Sequence, residues 1–258
     1  MDRPRFSANT GFLWTDRPFP DRLRAAAAAG FDAVEFHDEA QRHDLAEIHA
    51  ILQETGLPVC GLNVRMGGTA GCASLPGAED QARRDVDDAL RVAEALRAGA
   101  VHVLAGRVAD GGDRAQYLRV LRHALDGLDP SGERVILIEP ICRAAMADYA
   151  LPDIATAAAI LAEIDHPRLK IMFDCFHIAM QDGDALAAFA AHAEQIGHVQ
   201  IASVPGRNEP GDKDRLDLPI LIAAMQGLGY SGAFGCEYHP RGRVEDGLAW
   251  RRGFEAVH

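Results

Sequence analysis

The sequence contains no apolar run approaching the ~18 residues that a bilayer-spanning helix requires. Its first residues, MDRPRF, lack the apolar stretch of a secretory leader. Together these absences lead to the expectation of a cytoplasmic protein with no membrane partner. Positive charge is also in short supply: 38 acidic against 26 basic residues leave a formal net charge of −12. Nucleic-acid binding needs a concentrated basic surface, so no nucleic-acid partner is expected, although a local basic pocket for a small anion is compatible with this total. The five cysteines (Cys60, Cys72, Cys142, Cys175 and Cys236) include no C-x-x-C pair, which points to reduced thiols rather than a disulfide framework. Neither G-x-G-x-x-G after the first apolar run nor G-x-S-x-G is present. Those absences argue against a doubly wound dinucleotide-binding sheet and against a serine nucleophile elbow. No linker, charge block or low-complexity tract interrupts the chain, so one domain spanning 1–258 is expected.

What is present is an alternation of short apolar runs with longer helix-like segments. The runs lie at 5–8, 33–36, 58–63, 100–106, 135–140, 169–174, 198–202 and 233–238. Eight is the number a closed (β/α)₈ barrel needs, and 258 residues is a usual size for one. The runs are nearly continuously apolar, as in VILI and LKIMF, which fits parallel strands covered on both faces. Between them, segments such as 79–97 pattern as amphipathic helices. Val86, Leu90, Ala93 and Leu96 share one face, and Arg83, Asp87, Arg91 and Glu94 another. Gly30, Gly56 and Gly99 each stand just before the next strand, as helix stops do.

Barrel enzymes place their chemistry at the C-terminal ends of the strands. Four consecutive runs carry polar residues there: Glu139 in IEP, Asp174 in FD, Gln200 in HVQ and Glu237 in CEY. They are separated by 35, 26 and 37 residues, about one strand–helix unit each, so they should converge on one side of the mouth. A single such residue would be read as a solvated strand cap. For three acids and an amide together a metal site is the favoured reading, because clustered buried carboxylates repel one another unless a cation sits among them. Oxygen donors suit a hard divalent ion, Mg²⁺ or Mn²⁺, better than Zn²⁺.

Other residues cluster near the same mouth. His177, three residues after Asp174, is expected in the loop leaving strand six, where its imidazole would contact a substrate oxygen. His198 shares a strand face with Gln200 and reads equally as a substrate contact or as a buried histidine below the site. Arg207 in PGRNEPGDKD, and one of Arg241 and Arg243 in HPRGR, are candidates for gripping a substrate carboxylate in loops where barrels often bind anions. His239 after CEY and Asn63 at the end of strand three complete the candidate substrate contacts. The glycine-rich segment RMGGTAGCASLPG is read as a mobile lid.

At these residues the chain resembles the hydroxypyruvate isomerase family within the xylose isomerase-like barrels. The likeness runs from RFSAN and GFDAVEF through GCASLPG, LIEPI, LKIMFD with His177, GHVQIA, RNEPG and GCEYHP to GLAW. It implies that Glu139, Asp174, Gln200 and Glu237 coordinate a divalent metal and that Glu139 and Glu237 form the acid–base pair. The activity it implies is isomerisation of a small hydroxy-carbonyl acid or sugar through an enediolate. Gln200 sets the family apart from related sugar epimerases, which usually have histidine there. The chain departs from the family at Leu62, Thr69, Ala70, His239 and the DKDRL segment, all positions associated with substrate rather than metal. Ketose 3-epimerisation, a non-catalytic binding barrel and an abasic-site endonuclease remain open alternatives, as does pairing into a homo-oligomer.

Overall fold

The structure, a computed structural model, describes residues 3–108, 112–181, 183–211 and 214–254. Asp212 and Lys213, in the segment that departs from the family pattern, lie outside the described residues, as do both ends of the expected 1–258 domain. Eight parallel strands close on themselves in sequence order: β1 (Phe6–Asn9), β2 (Ala33–Phe36), β3 (Val59–Asn63), β4 (Ala100–His102), β5 (Val135–Ile138), β6 (Leu169–Asp174), β7 (Ile196–Ile201) and β8 (Phe234–Cys236). The helices between them are α1 (Phe19–Ala28), α2 (Leu45–Thr55), α3 (Glu79–Leu96), α4 (Arg114–Asp126), α5 (Ile154–Ile164), α6 (Cys175–Gln181), α7 (Ala185–His192) and α8 (Leu218–Gly227). This is the expected (β/α)₈ barrel. Among the described residues no helix is long and apolar enough to cross a membrane.

The chain's acidity has a structural use. Asp44, Asp113, Asp153, Asp184 and Asp217 each precede a helix and accept a backbone N–H from its first turn. Each satisfies a donor the helix itself leaves unpaired and places negative charge at the positive end of the helix dipole. On α3, Val86, Leu90, Ala93 and Leu96 are buried while Asp87, Arg91 and Glu94 face solvent. Gly56 ends α2 in the left-handed region, φ +70°. Gly99 does not play that part: Arg97 itself takes φ +53°. A side chain at Gly99 would instead crowd the Cys60 carbonyl, at 3.1 Å from its Cβ.

The period of two along each strand sets up the interior. Ala100, Leu137 and Met172 form a small apolar cluster of their own, separate from the main core. Two residues further on, and therefore one step nearer the mouth, stand His102, Glu139 and Asp174. The same step leads from Ser7 to Asn9, from Glu35 to His37, from Gly61 to Asn63, from His198 to Gln200 and from Gly235 to Glu237. All eight strands thus contribute one polar side chain to the rim of the barrel interior. At the other end of β1, Phe6 points outward onto Trp250 and Phe254, with ring centroids 5.1 and 5.4 Å away. Those rings belong to the 3₁₀ segment Val244–Phe254.

The segment after β3 is pinned rather than free. Met66 N donates to Asp38, Arg107 N to the Thr69 carbonyl, and Ser74 to the Ala105 carbonyl through both N and Oγ. Gly71, at φ +84°, lies where a Cβ would come within 2.5 Å of Leu104. These ties join the segment expected as a lid to the loops after β2 and β4.

Replacing Asp153 by alanine removes the hydrogen bond to Thr156 N (2.7 Å) and should lower unfolding free energy by about 1 kcal/mol. Urea denaturation measures it, and an unchanged midpoint would show that α5 does not depend on its cap.

Candidate active site

Glu139, Asp174, Gln200 and Glu237 all reach the mouth and are buried there, at 6%, 1%, 3% and 7% exposure. Asp174 and Gln200 are register partners on β6 and β7. The tightest group is Glu139, Asp174 and His177, with one donor atom from each within 4.8 Å of the others. His177 Nε2 lies 3.8 Å from Glu139 Oε1 and 3.6 Å from Asp174 Oδ2. It is not in a loop, as expected, but in α6, which continues directly from β6. Asp174 makes this abrupt start possible by accepting the Phe176 N–H at 2.8 Å. The other ring nitrogen of His177 faces Cys142 Sγ at 3.4 Å.

Arg207, in the segment after β7, reaches the mouth as expected and there meets the rim carboxylates. Its Nη2 donates to Asp174 Oδ2 at 2.9 Å and also to Glu237 Oε2. The guanidinium carbon lies 5.0 Å from the Phe12 ring centroid and 5.1 Å from that of Phe176, a cation–π clamp. Its backbone takes φ +50°, unusual for a side-chain-bearing residue. Rather than standing open to a substrate, the guanidinium is the counter-ion of two buried carboxylates.

The electrostatics follow from these contacts. Burial raises Asp174 to about 7, with Arg207 opposing and Glu237 adding to the effect. Burial, then the neighbouring Glu237 and Asp174 charges, drive Glu139 well above the carboxylate range. Glu237 is also buried, but the adjacent Arg207 and His37 outweigh that and hold it below its ordinary value. Its Oε1 accepts from Asn9 Nδ2 at 2.9 Å and lies 3.6 Å from His37 Nε2. Burial and Arg207 together push His177 down to about 3.

The remaining expected residues divide. Asn63 Oδ1 meets His102 Nδ1 at 3.2 Å, which turns His102 Nε2 toward Glu139 Oε2, 3.8 Å away. His239 is exposed at the rim with its ring 4.8 Å from that of Phe12. His198 lies below the mouth, its Nε2 2.7 Å from Glu35 Oε2. Arg241 is occupied with Glu209, whose carboxylate accepts the Arg241 backbone N–H and whose carbonyl accepts from Nη1. Arg243 is exposed, with Nε 3.9 Å from Glu245. Asn9, Glu35, His37 and His102 were not foreseen. The strand-end rule that found the other four, extended to β1, β2 and β4, would have named Asn9, His37 and His102, but not Glu35, which lies one step below the rim.

Two buried acceptors, Glu139 Oε1 and Gln200 Oε1, have no hydrogen-bond partner. Buried acceptors without donors are rare. Here they lie among carboxylates and an imidazole, a donor set that suits a divalent cation. The buried Glu139, Asp174 and His177 group is thus fitted to hold a metal ion.

The family model described as "Xylose isomerase-like TIM barrel" matches residues 23–254. The chain is 40% identical to a 2-oxo-tetronate isomerase of Pectobacterium atrosepticum, over 96% of each chain. It is 38% identical to a putative hydroxypyruvate isomerase of Danio rerio, over 97% of this chain and 95% of the other. The chain belongs to the hydroxypyruvate isomerase family of xylose isomerase-like barrels. A crystal structure titled as an AP endonuclease, family 2, from Brucella melitensis is also similar, with TM-score 0.91 and 34% identity over 97% of this chain and 98% of that one.

Removing a single partner from a buried ion pair leaves uncompensated charge and typically costs about 3–5 kcal/mol. Arg207→Met should therefore lower the stability of chelator-treated protein by about 3 kcal/mol in urea unfolding. Unchanged stability would mean that the guanidinium does not neutralise Asp174 and Glu237.

Proposed function

We propose that the protein is a divalent-metal-dependent isomerase of a small hydroxy-carbonyl acid, of the hydroxypyruvate or 2-oxo-tetronate type. The observation that carries the reading is end-to-end similarity to relatives named for those activities, in a chain whose mouth keeps Glu139, Asp174, Gln200 and Glu237 together.

In this reading Glu139, Asp174, Gln200 and Glu237 hold Mg²⁺ or Mn²⁺, with His177 beside them. The cation, when bound, supplies Lewis acidity that stabilises negative charge developing on the substrate's adjacent oxygens. The chain's own groups do the rest. Glu139 and Glu237 are the acid–base pair: one takes the C–H proton from the hydroxyl-bearing carbon, and the other delivers a proton to the former carbonyl carbon. The hydroxyl proton passes to the old carbonyl oxygen, so atoms balance without an external oxidant or reductant. His177 orients the substrate oxygens. With Asp174 and Glu237 holding a cation, the Arg207 guanidinium would be free to grip the substrate carboxylate in bidentate fashion. Asn63 steadies His102 beside Glu139, and His239 borders the entrance. Phe12 and Phe176 place their rings against the guanidinium.

The endonuclease title of the Brucella melitensis structure supports a second reading. It fits the charge poorly, because a net −12 chain with a mouth rich in carboxylates offers no track for a phosphate backbone. Epimerisation of a ketose would use the same proton chemistry and is separated by product analysis.

Glu139→Gln and Glu237→Gln should each lower kcat by roughly 10²–10⁴-fold, the usual contribution of general acid–base catalysis, without loss of fold. Chelation should abolish turnover and Mn²⁺ should restore it. The assay is a screen of hydroxypyruvate, 2-oxo-tetronates and ketohexoses. Near-normal turnover in either variant would contradict the acid–base assignment, and turnover of ketohexoses alone would favour the epimerase.

A further inference from the structure

Glu35 is a buried carboxylate of the barrel interior for which the proposed chemistry has no use. It lies on β2 at 4% exposure, one residue step below the rim, and is surrounded by donors. Ser7 Oγ and His198 Nε2 each approach Oε2 at 2.7 Å. Gln200 Nε2 and Asn9 Nδ2 approach Oε1 at 2.8 and 3.3 Å. The backbone opposite is Gly235, where an added Cβ would lie 2.5 Å from both carboxylate oxygens. Room for Glu35 is thus built into β8, two strands away around the barrel.

An ionised carboxylate only accepts hydrogen bonds. The end of Gln200 that meets Glu35 must therefore be its NH₂, and the carbonyl Oε1 must turn the other way. That oxygen is buried and without a hydrogen-bond partner, on the strand position paired with Asp174. Asn9 extends the same control, because its Nδ2 is shared between Glu35 Oε1 and Glu237 Oε1. Two of the metal-site side chains are thus oriented by one acid that does not itself reach the site.

We propose that Glu35 is a positioning residue for the metal centre: it locks the Gln200 amide with its carbonyl oxygen toward the cation and, through Asn9, steadies Glu237. This inference rests on the metal-dependent reading above.

The test is Mn²⁺ binding by the full chain in isothermal titration calorimetry, with thermal unfolding measured alongside. Glu35→Gln keeps the side-chain volume but can face Gln200 with either end of an amide, so the lock is lost. Its Mn²⁺ affinity should fall by roughly 10–100-fold, the usual effect of removing a group that orients a ligand. Exchanging the two residues, Glu35→Gln with Gln200→Glu, restores one amide–carboxylate pair and keeps an oxygen facing the cation, so affinity should recover above that of Glu35→Gln. Gln200→Ala sets the floor. A Glu35 that only fills the interior would change the unfolding temperature and leave Mn²⁺ affinity at the wild-type level, which would overturn the proposal. If Glu35→Gln does not fold, the exchanged pair decides: affinity no better than that of Gln200→Ala overturns it. Absence of Mn²⁺ binding by the wild type would instead overturn the metal reading, and this proposal with it.

Discussion

Burial of several carboxyl groups within one barrel is the constraint from which the rest of the site follows. Taking an ionised carboxylate out of water costs several kcal/mol even after relaxation, and this interior holds Glu35, Glu139, Asp174 and Glu237. Glu35 is compensated by four donors. Glu237 has Asn9 and Arg207, and Asp174 has Arg207 and the Phe176 N–H. Glu139 is the one left short: its Oε1 has no hydrogen bond, and its nearest histidine nitrogens are 3.8 Å away. An arrangement so expensive persists where it performs a task. A divalent cation among these oxygens would supply the missing compensation, and a single Arg207 cannot reach all three rim carboxylates in its place.

Much of this was legible before any coordinates. Counting apolar runs yielded the barrel because buried parallel strands are continuously apolar, and spacing by one strand–helix unit placed four polar strand ends on one side. Other features were hidden for physical reasons. AVEF on β2 is buried throughout, so no polar–apolar alternation marked Glu35 as facing inward, and its role depends on partners from β1 and β7. The immediate turn from β6 into α6 depends on Asp174 serving as both rim residue and helix starter, a dual use no propensity reveals. The seat of Arg207 depends on Phe12, after β1, and Phe176, at the start of α6, rings far apart in sequence. Arg97 took the left-handed position expected near Gly99, which shows the limit of reading helix ends from glycines alone.

The fold itself does not choose the chemistry, since similar barrels carry names as different as isomerase and endonuclease. The choice lies in the rim. Carboxylates, an amide and a buried histidine favour binding small oxygen-rich ligands over a cation. Arg207 ties that rim together, because one guanidinium nitrogen serves both Asp174 and Glu237.

The most direct measurement is anomalous diffraction from a crystal equilibrated with Mn²⁺. The account predicts one strong peak bounded by Glu139, Asp174, Gln200 Oε1 and Glu237, with the Arg207 guanidinium withdrawn from Asp174. A crystal at saturating Mn²⁺ with no peak there, and Arg207 still bridging Asp174 and Glu237, would contradict it.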